Sequence, residues 1–130
     1  MGRLMDERAY REFAAWLRRV ARSSPPPEGI AAYNFGLFES EGGYVAYLTG
    51  SREYDPEDDD WACREDYTPA ERYVDLRGAF DEGATWREVQ HGVVGMIKRF
   101  VESPEFSDSF LSGASAVTVG FDDGDLERVA

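Results

Sequence analysis

Cysteine and histidine are almost missing from this chain. Cys63 is the one thiol and His91 the one imidazole, so no internal disulfide can form and no Cys/His zinc site can be assembled within one chain. Long hydrophobic runs are missing too: no stretch reaches the roughly 18 consecutive apolar residues that a spanning helix needs. The first residues, Met1 to Arg8, carry charges where a secretory signal needs an apolar segment, and a cytoplasmic protein is the expectation. Positive charge is scarce, with 14 Lys+Arg against 26 Asp+Glu and a formal net charge of -12. Such a chain repels nucleic-acid phosphates and anionic headgroups, so neither nucleic acid nor a membrane surface is an expected partner. Ser51 lacks the Gly-x-Ser-x-Gly setting of a nucleophile elbow, and no glycine cluster forms a phosphate-binding fingerprint ahead of a helix.

What is present suffices for one folded domain. The 130 residues are 42% apolar and 14% aromatic, enough for one core and too few for two. The charge is unevenly spread. Residues 1–22 hold six arginines against three acids, a local balance of +3, which leaves -15 on the rest. Within residues 53–66 lie Glu53, Asp55, Glu57, Asp58, Asp59, Asp60, Glu65 and Asp66, opposed by Arg64 alone, for a balance of -7. Self-repulsion at that density works against folding unless a partner, an ion or solvent screens it.

Residues 4–21 read as a helix with Ala9, Phe13, Trp16, Leu17 and Val20 on one face and arginines on the other. Pairing of this basic face with the acidic body is expected in preference to RNA or lipid contact. Prolines 25–27 stiffen a connector over residues 23–29. From Ile30 the period becomes two, with Tyr33, Phe35 and Leu37 on one face and Ala32, Asn34, Gly36 and Phe38 on the other. Glu39-Ser40-Glu41-Gly42-Gly43 then turns the chain into a second strand that could reach Tyr54, giving a hairpin. Residues 67–76 read as a loop with a short extended piece, and 78–83 as a connector. A second helix is expected over 85–102, opened by the capping box Thr85-Trp86-Arg87-Glu88, with Trp86, Val89, Val93, Met96, Ile97 and Phe100 as its apolar face. Gly92 and Gly95 would let it pack closely on the sheet. A brief helical turn is expected near 107–111, a last strand over 115–121, and a polar tail from Asp122. The expected fold is α+β: a single domain with an antiparallel sheet of about four strands, both helices on one sheet face, and residues 30–130 forming the body.

The acidic segment admits several readings. As a calcium loop starting at Asp55 it places Asp60 where the sharp turn needs glycine. As a carboxylate pair for catalysis it lacks a companion base, which leaves a divalent-metal site or a metal-assisted hydrolase as the alternative. A merely solvated loop is the plainest reading. A partner-binding surface is the preferred one: Asp55, Glu57, Asp58, Asp59, Asp60, Glu65 and Asp66, with Tyr54 and Trp61 as aromatic anchors, would steer and hold a basic protein. No cofactor is expected. His91 is expected off the apolar stripe of its helix, and Cys63 as a semi-buried structural thiol. Self-pairing through an exposed sheet edge is a third role, and a monomer or weak homodimer is the expected state.

Residues 33–39, then 43–51, then 54–63 with Asp58-Asp59-Asp60-Trp61-Ala62-Cys63 as the most specific string, resemble small acidic bacterial immunity proteins of polymorphic or contact-dependent toxin systems. The resemblance spans about residues 30–76. It implies a non-enzymatic role, in which the protein binds a cognate toxin domain and blocks it.

Overall fold

A computed structural model describes residues 7–41, 43–76, 79–80, 83–122 and 124–130. The 3.6-residue spacing of apolar side chains produces helix α1, Glu7–Ser23, and buries all five residues of the expected stripe together with Tyr10 and Ala14. Leu4 to Asp6, expected in this helix, lie outside the described residues. Trp16 is fully buried, and its indole N–H donates to the Glu71 carbonyl at 2.8 Å. The rings of Phe13 and Trp16 meet Phe35 at 5.7 and 6.1 Å. The helix is therefore part of the core and not an appendage of a separate body.

The outer face of α1 pairs within the molecule, as its charge predicts. Arg18 donates to both oxygens of Glu105 at 2.5 and 2.9 Å, and Arg19 grips Glu71 with a closest approach of 2.7 Å. The guanidiniums hold both carboxyls below the usual carboxylate range. The acids engaged here are not those of residues 53–66.

The sheet corrects the expectation of about four antiparallel strands. It has five, in the order β3-β2-β1-β4-β5. Strands β1, Ala32–Ser40, and β2, Gly43–Ser51, form the expected hairpin, although β2 stops at Ser51, short of Tyr54. Strand β3, Tyr73–Asp75, pairs antiparallel with β2, and β5, Glu127–Arg128, pairs antiparallel with β4, Ala116–Phe121. The pairing of β1 with β4 is parallel. Period-two patterning shows which residues share a face but carries no strand direction, and the expected polar tail turns back after Asp122 to supply the fifth strand. Asp123 lies outside the described residues.

Helix α2, Trp86–Val101, starts at the predicted capping box: the Glu88 N–H donates to the Thr85 hydroxyl and the Thr85 N–H to the Glu88 carboxylate. Val89, Val93, Met96, Ile97 and Phe100 join α1 and the sheet residues Phe35, Leu37, Leu48, Val117 and Val119 in one core, so both helices lie on one sheet face. Trp86 departs from its expected place and stands 51% exposed. Gly92 admits the ring of Phe80, which sits where a β-carbon would lie 2.4 Å from Cε1, so its close contact is with a connector side chain. Residues 78, 81 and 82 of that connector are outside the described set. Short 3₁₀ turns at Pro104–Asp108 and Phe110–Gly113 fill the place of the single turn expected near 107–111. The result is an α+β single domain with a mixed, mostly antiparallel sheet.

Candidate functional site

The opposite sheet face is built from small and polar side chains. In register across the parallel pair stand Ala32 with Ala116, Asn34 with Thr118 and Gly36 with Gly120. Asn34 and Thr118 are 5% and 3% exposed, and the Thr118 hydroxyl donates to Asn34 Oδ1 at 2.8 Å. Small residues leave room above the sheet. That room is occupied by Tyr47, which lies across Gly36 and donates to Asp122, and by the acidic segment itself.

The chain leaves β2 at Ser51 and returns at Tyr67, where Gly50 and Tyr67 exchange two backbone hydrogen bonds of 2.9 and 3.1 Å. One step further in, the Arg52 N–H donates to Asp66 Oδ2 at 2.8 Å. Residues 52–66 therefore form an Ω-type loop closed at its neck. Inside it, Asp55 accepts from the Glu57 N–H at 2.9 Å, and Asp58 accepts from the Asp60 N–H at 3.0 Å. The latter contact caps a 3₁₀ helix over Asp59–Cys63. Asp59 reaches the C-terminal segment, accepting from the Leu126 N–H at 3.2 Å. Glu65 pairs with Arg72 at 2.5 Å, and Arg64 spans Glu53 and Asp66 at 3.5 and 3.8 Å.

These contacts reassign the aromatic residues. Trp61 is 5% exposed and packs inward on Ala32 and Ala116, because burying an indole on this small-residue patch recovers far more apolar area than leaving it in water. Tyr54, half-buried, stacks edge-on against Trp61 at 5.2 Å and carries the Arg128 guanidinium 5.7 Å from its ring centre. Trp61 is thus turned inward at the base of the loop, with Tyr54 partly exposed beside it. Tyr67 is likewise buried and donates its hydroxyl to the Ser24 carbonyl at 2.5 Å.

The acids face outward. Residues 55–60 are all exposed. Glu57 and Asp60 have no partner for their carboxylates among the described residues, whereas Asp55, Asp58, Asp59, Glu65 and Asp66 each serve local structure. The exposed aromatics lie elsewhere: Tyr73 at 53% and Trp86 at 51%. Trp86 flanks a groove of about 670 Å³ shared with Phe38, Tyr44 and Phe121 and edged by Glu39 and Asp122. Cys63 is exposed, not semi-buried as expected. His91 is exposed on α2, off its apolar stripe.

No family model matches the chain, and no curated protein or solved structure matches it. Among the described residues no three His, Cys, Asp or Glu side chains converge closely enough to hold a metal ion. No described helix is long and apolar enough to cross a membrane. Asn34, Tyr47 and Asp122 were not singled out by the sequence as site residues. Asn34 lies opposite Thr118 in the parallel pair and Tyr47 opposite Gly36 in the hairpin, relations that depend on strand register.

Proposed function

We propose that this is a non-enzymatic cytoplasmic binding protein that inhibits a basic protein partner through its acidic loop, in the manner of an immunity protein blocking a toxin domain. The observation that carries the reading is an exposed run of acids on a loop tied at its neck, at its 3₁₀ helix and to the C-terminal segment. A loop already held in shape loses less entropy on docking than a free one. Concentrated negative charge accelerates encounter with a positive surface and disfavours other acidic proteins.

The test separates charge from scaffold. Glu57→Lys with Asp60→Lys reverses the two carboxylates that hold no internal partner and leaves the caps at Asp55, Asp58 and Asp59 in place. Against a basic toxin domain that this reading expects a neighbouring reading frame to encode, association should slow by about tenfold or more at low salt and lose much of its salt dependence, with dissociation changing less. Unchanged association would overturn the proposal. Calorimetry with calcium, magnesium and manganese should show no stoichiometric uptake; a stoichiometric isotherm would favour the metal reading.

A further inference from the structure

At the end of the sheet where α2 begins, Trp86 and Tyr44 each meet Phe121 edge-on, with ring centres 5.9 and 5.8 Å apart and interplanar angles of 80° and 81°. With Phe38 these rings wall the groove of about 670 Å³, a volume within the roughly 300–1,000 Å³ of sites that receive small ligands. By its spacing Trp86 belongs to the apolar stripe of α2, yet it stands 51% exposed at the first residue of that helix. A tryptophan left in water beside three further aromatic rings marks a surface that binds.

The charge around the groove says what it binds. Both charged residues in its lining are acids, Glu39 and Asp122. Asp122 accepts from the Tyr47 hydroxyl. Glu39, exposed and directly opposite Tyr44 in the hairpin register, has no partner for its carboxylate among the described residues. The Arg87 guanidinium lies 5.1 Å from the Trp86 ring centre but does not line the groove, so this indole already takes a cation on its ring while the groove itself holds none. Aromatic faces attract cations through their quadrupole, and carboxylates at the rim complete the match. The groove is also continuous with the acidic loop: Phe121, Asp122 and Gly124 line both it and a cavity of about 450 Å³ bounded by Asp59, Asp60 and Glu65.

We infer that this groove anchors one basic side chain, arginine or lysine, of the basic partner, with its aliphatic stem along Trp86 and Phe121 and its cation at Glu39. The inference rests on the acidic-loop reading and deepens it: the loop's charge steers the partner, and the aromatic groove beside it holds what arrives. Acidic and phosphorylated side chains are excluded by Glu39 and Asp122, and a neutral apolar one leaves the charge match unused.

Nuclear magnetic resonance titration of the intact, isotope-labelled protein at constant ionic strength tests it. The probes are Nα-acetyl-arginine amide and Nα-acetyl-lysine amide, with Nα-acetyl-norleucine amide as the neutral apolar control. Of the three indoles Trp16 and Trp61 are buried, so Trp86 reports on the groove and the other two serve as internal references. The cationic amides should give saturable shifts at the Trp86 indole N–H and at the backbone of Glu39 and Tyr44, and should bind about threefold or more tightly than the control. Trp86→Leu keeps an apolar side chain at this exposed position but removes the ring; it should weaken the arginine amide by about that factor, leave the norleucine amide nearly unchanged, and be rescued in part by Trp86→Phe. Glu39→Gln should weaken the cationic amides alone. Equal affinity for the three amides, non-saturating shifts over the whole negative surface, or shifts confined to residues 55–60 would each overturn the inference. Neither Glu57 nor Asp60 lines the groove, so the protein with both reversed to lysine should still saturate with the arginine amide. If the amides fail while that reversal slows the partner, the groove assignment falls and the acidic loop stands. If the amides saturate the groove but the reversal leaves association unchanged, the loop reading falls and the groove remains a site for basic side chains.

Discussion

At Gly36 a β-carbon would lie 2.1 Å from Cζ of Tyr47, far inside contact distance. The tyrosine can cross the sheet and donate to Asp122 only because that position has no side chain. Gly36→Ala should displace the ring and cost about 1–3 kcal/mol of stability. In a Tyr47→Ala background the same substitution should cost little, since the clash is gone. Urea unfolding of the four proteins of the cycle measures this coupling, and an equal cost in both backgrounds would refute it. Alternation in the sequence placed Gly36 on the face opposite Phe35, but only the register of the hairpin sets Tyr47 directly across from it on the neighbouring strand, where its ring fills the space.

The acidic loop is the element whose character was half legible. Its charge and its flanking rings were plain in residues 53–66, and so was the capping box of α2, because caps and charge density are local properties. Which way Trp61 faces was not, since that depends on Ala32 and Ala116 arriving from two other strands. Trp61→Ala should lower global stability by about 3 kcal/mol and free the loop first. Hydrogen exchange should then show amides of 55–66 losing protection well before those of α2. Simultaneous loss in both elements would mean that the loop is not held by this contact.

Across the whole molecule, buried tyrosines join segments distant in sequence and set its alkaline limit. Burial raises the hydroxyls of Tyr33 and Tyr47 well above the ordinary tyrosine value, and that of Tyr67 to about 12. A pKa raised by folding contributes stability that is complete below the unfolded value of about 10 and is lost as pH rises through the folded values. Chemical unfolding should therefore show a plateau below about pH 10 and a progressive fall from there up to and beyond about pH 12. Absorbance titration should find part of the tyrosine signal delayed until unfolding, and titration of all tyrosines near the ordinary value would contradict this. Glu71 and Glu105 act at the other end. Their lowered values add stability present above the ordinary carboxylate range and lost as pH falls through the folded values, by at most about 1 kcal/mol each because the pairs are exposed.

The sequence by itself determined the α+β class, both helices and their buried stripes, the hairpin and the place of the negative charge, because periodicity, caps and charge are written within a few residues of one another. Tertiary structure alone decided the parallel union of β1 and β4, the fifth strand, the inward turn of Trp61 and the crossing of Gly36 by Tyr47. Each of these depends on which distant segments lie together, and a side chain's environment is set by packing that no local pattern contains.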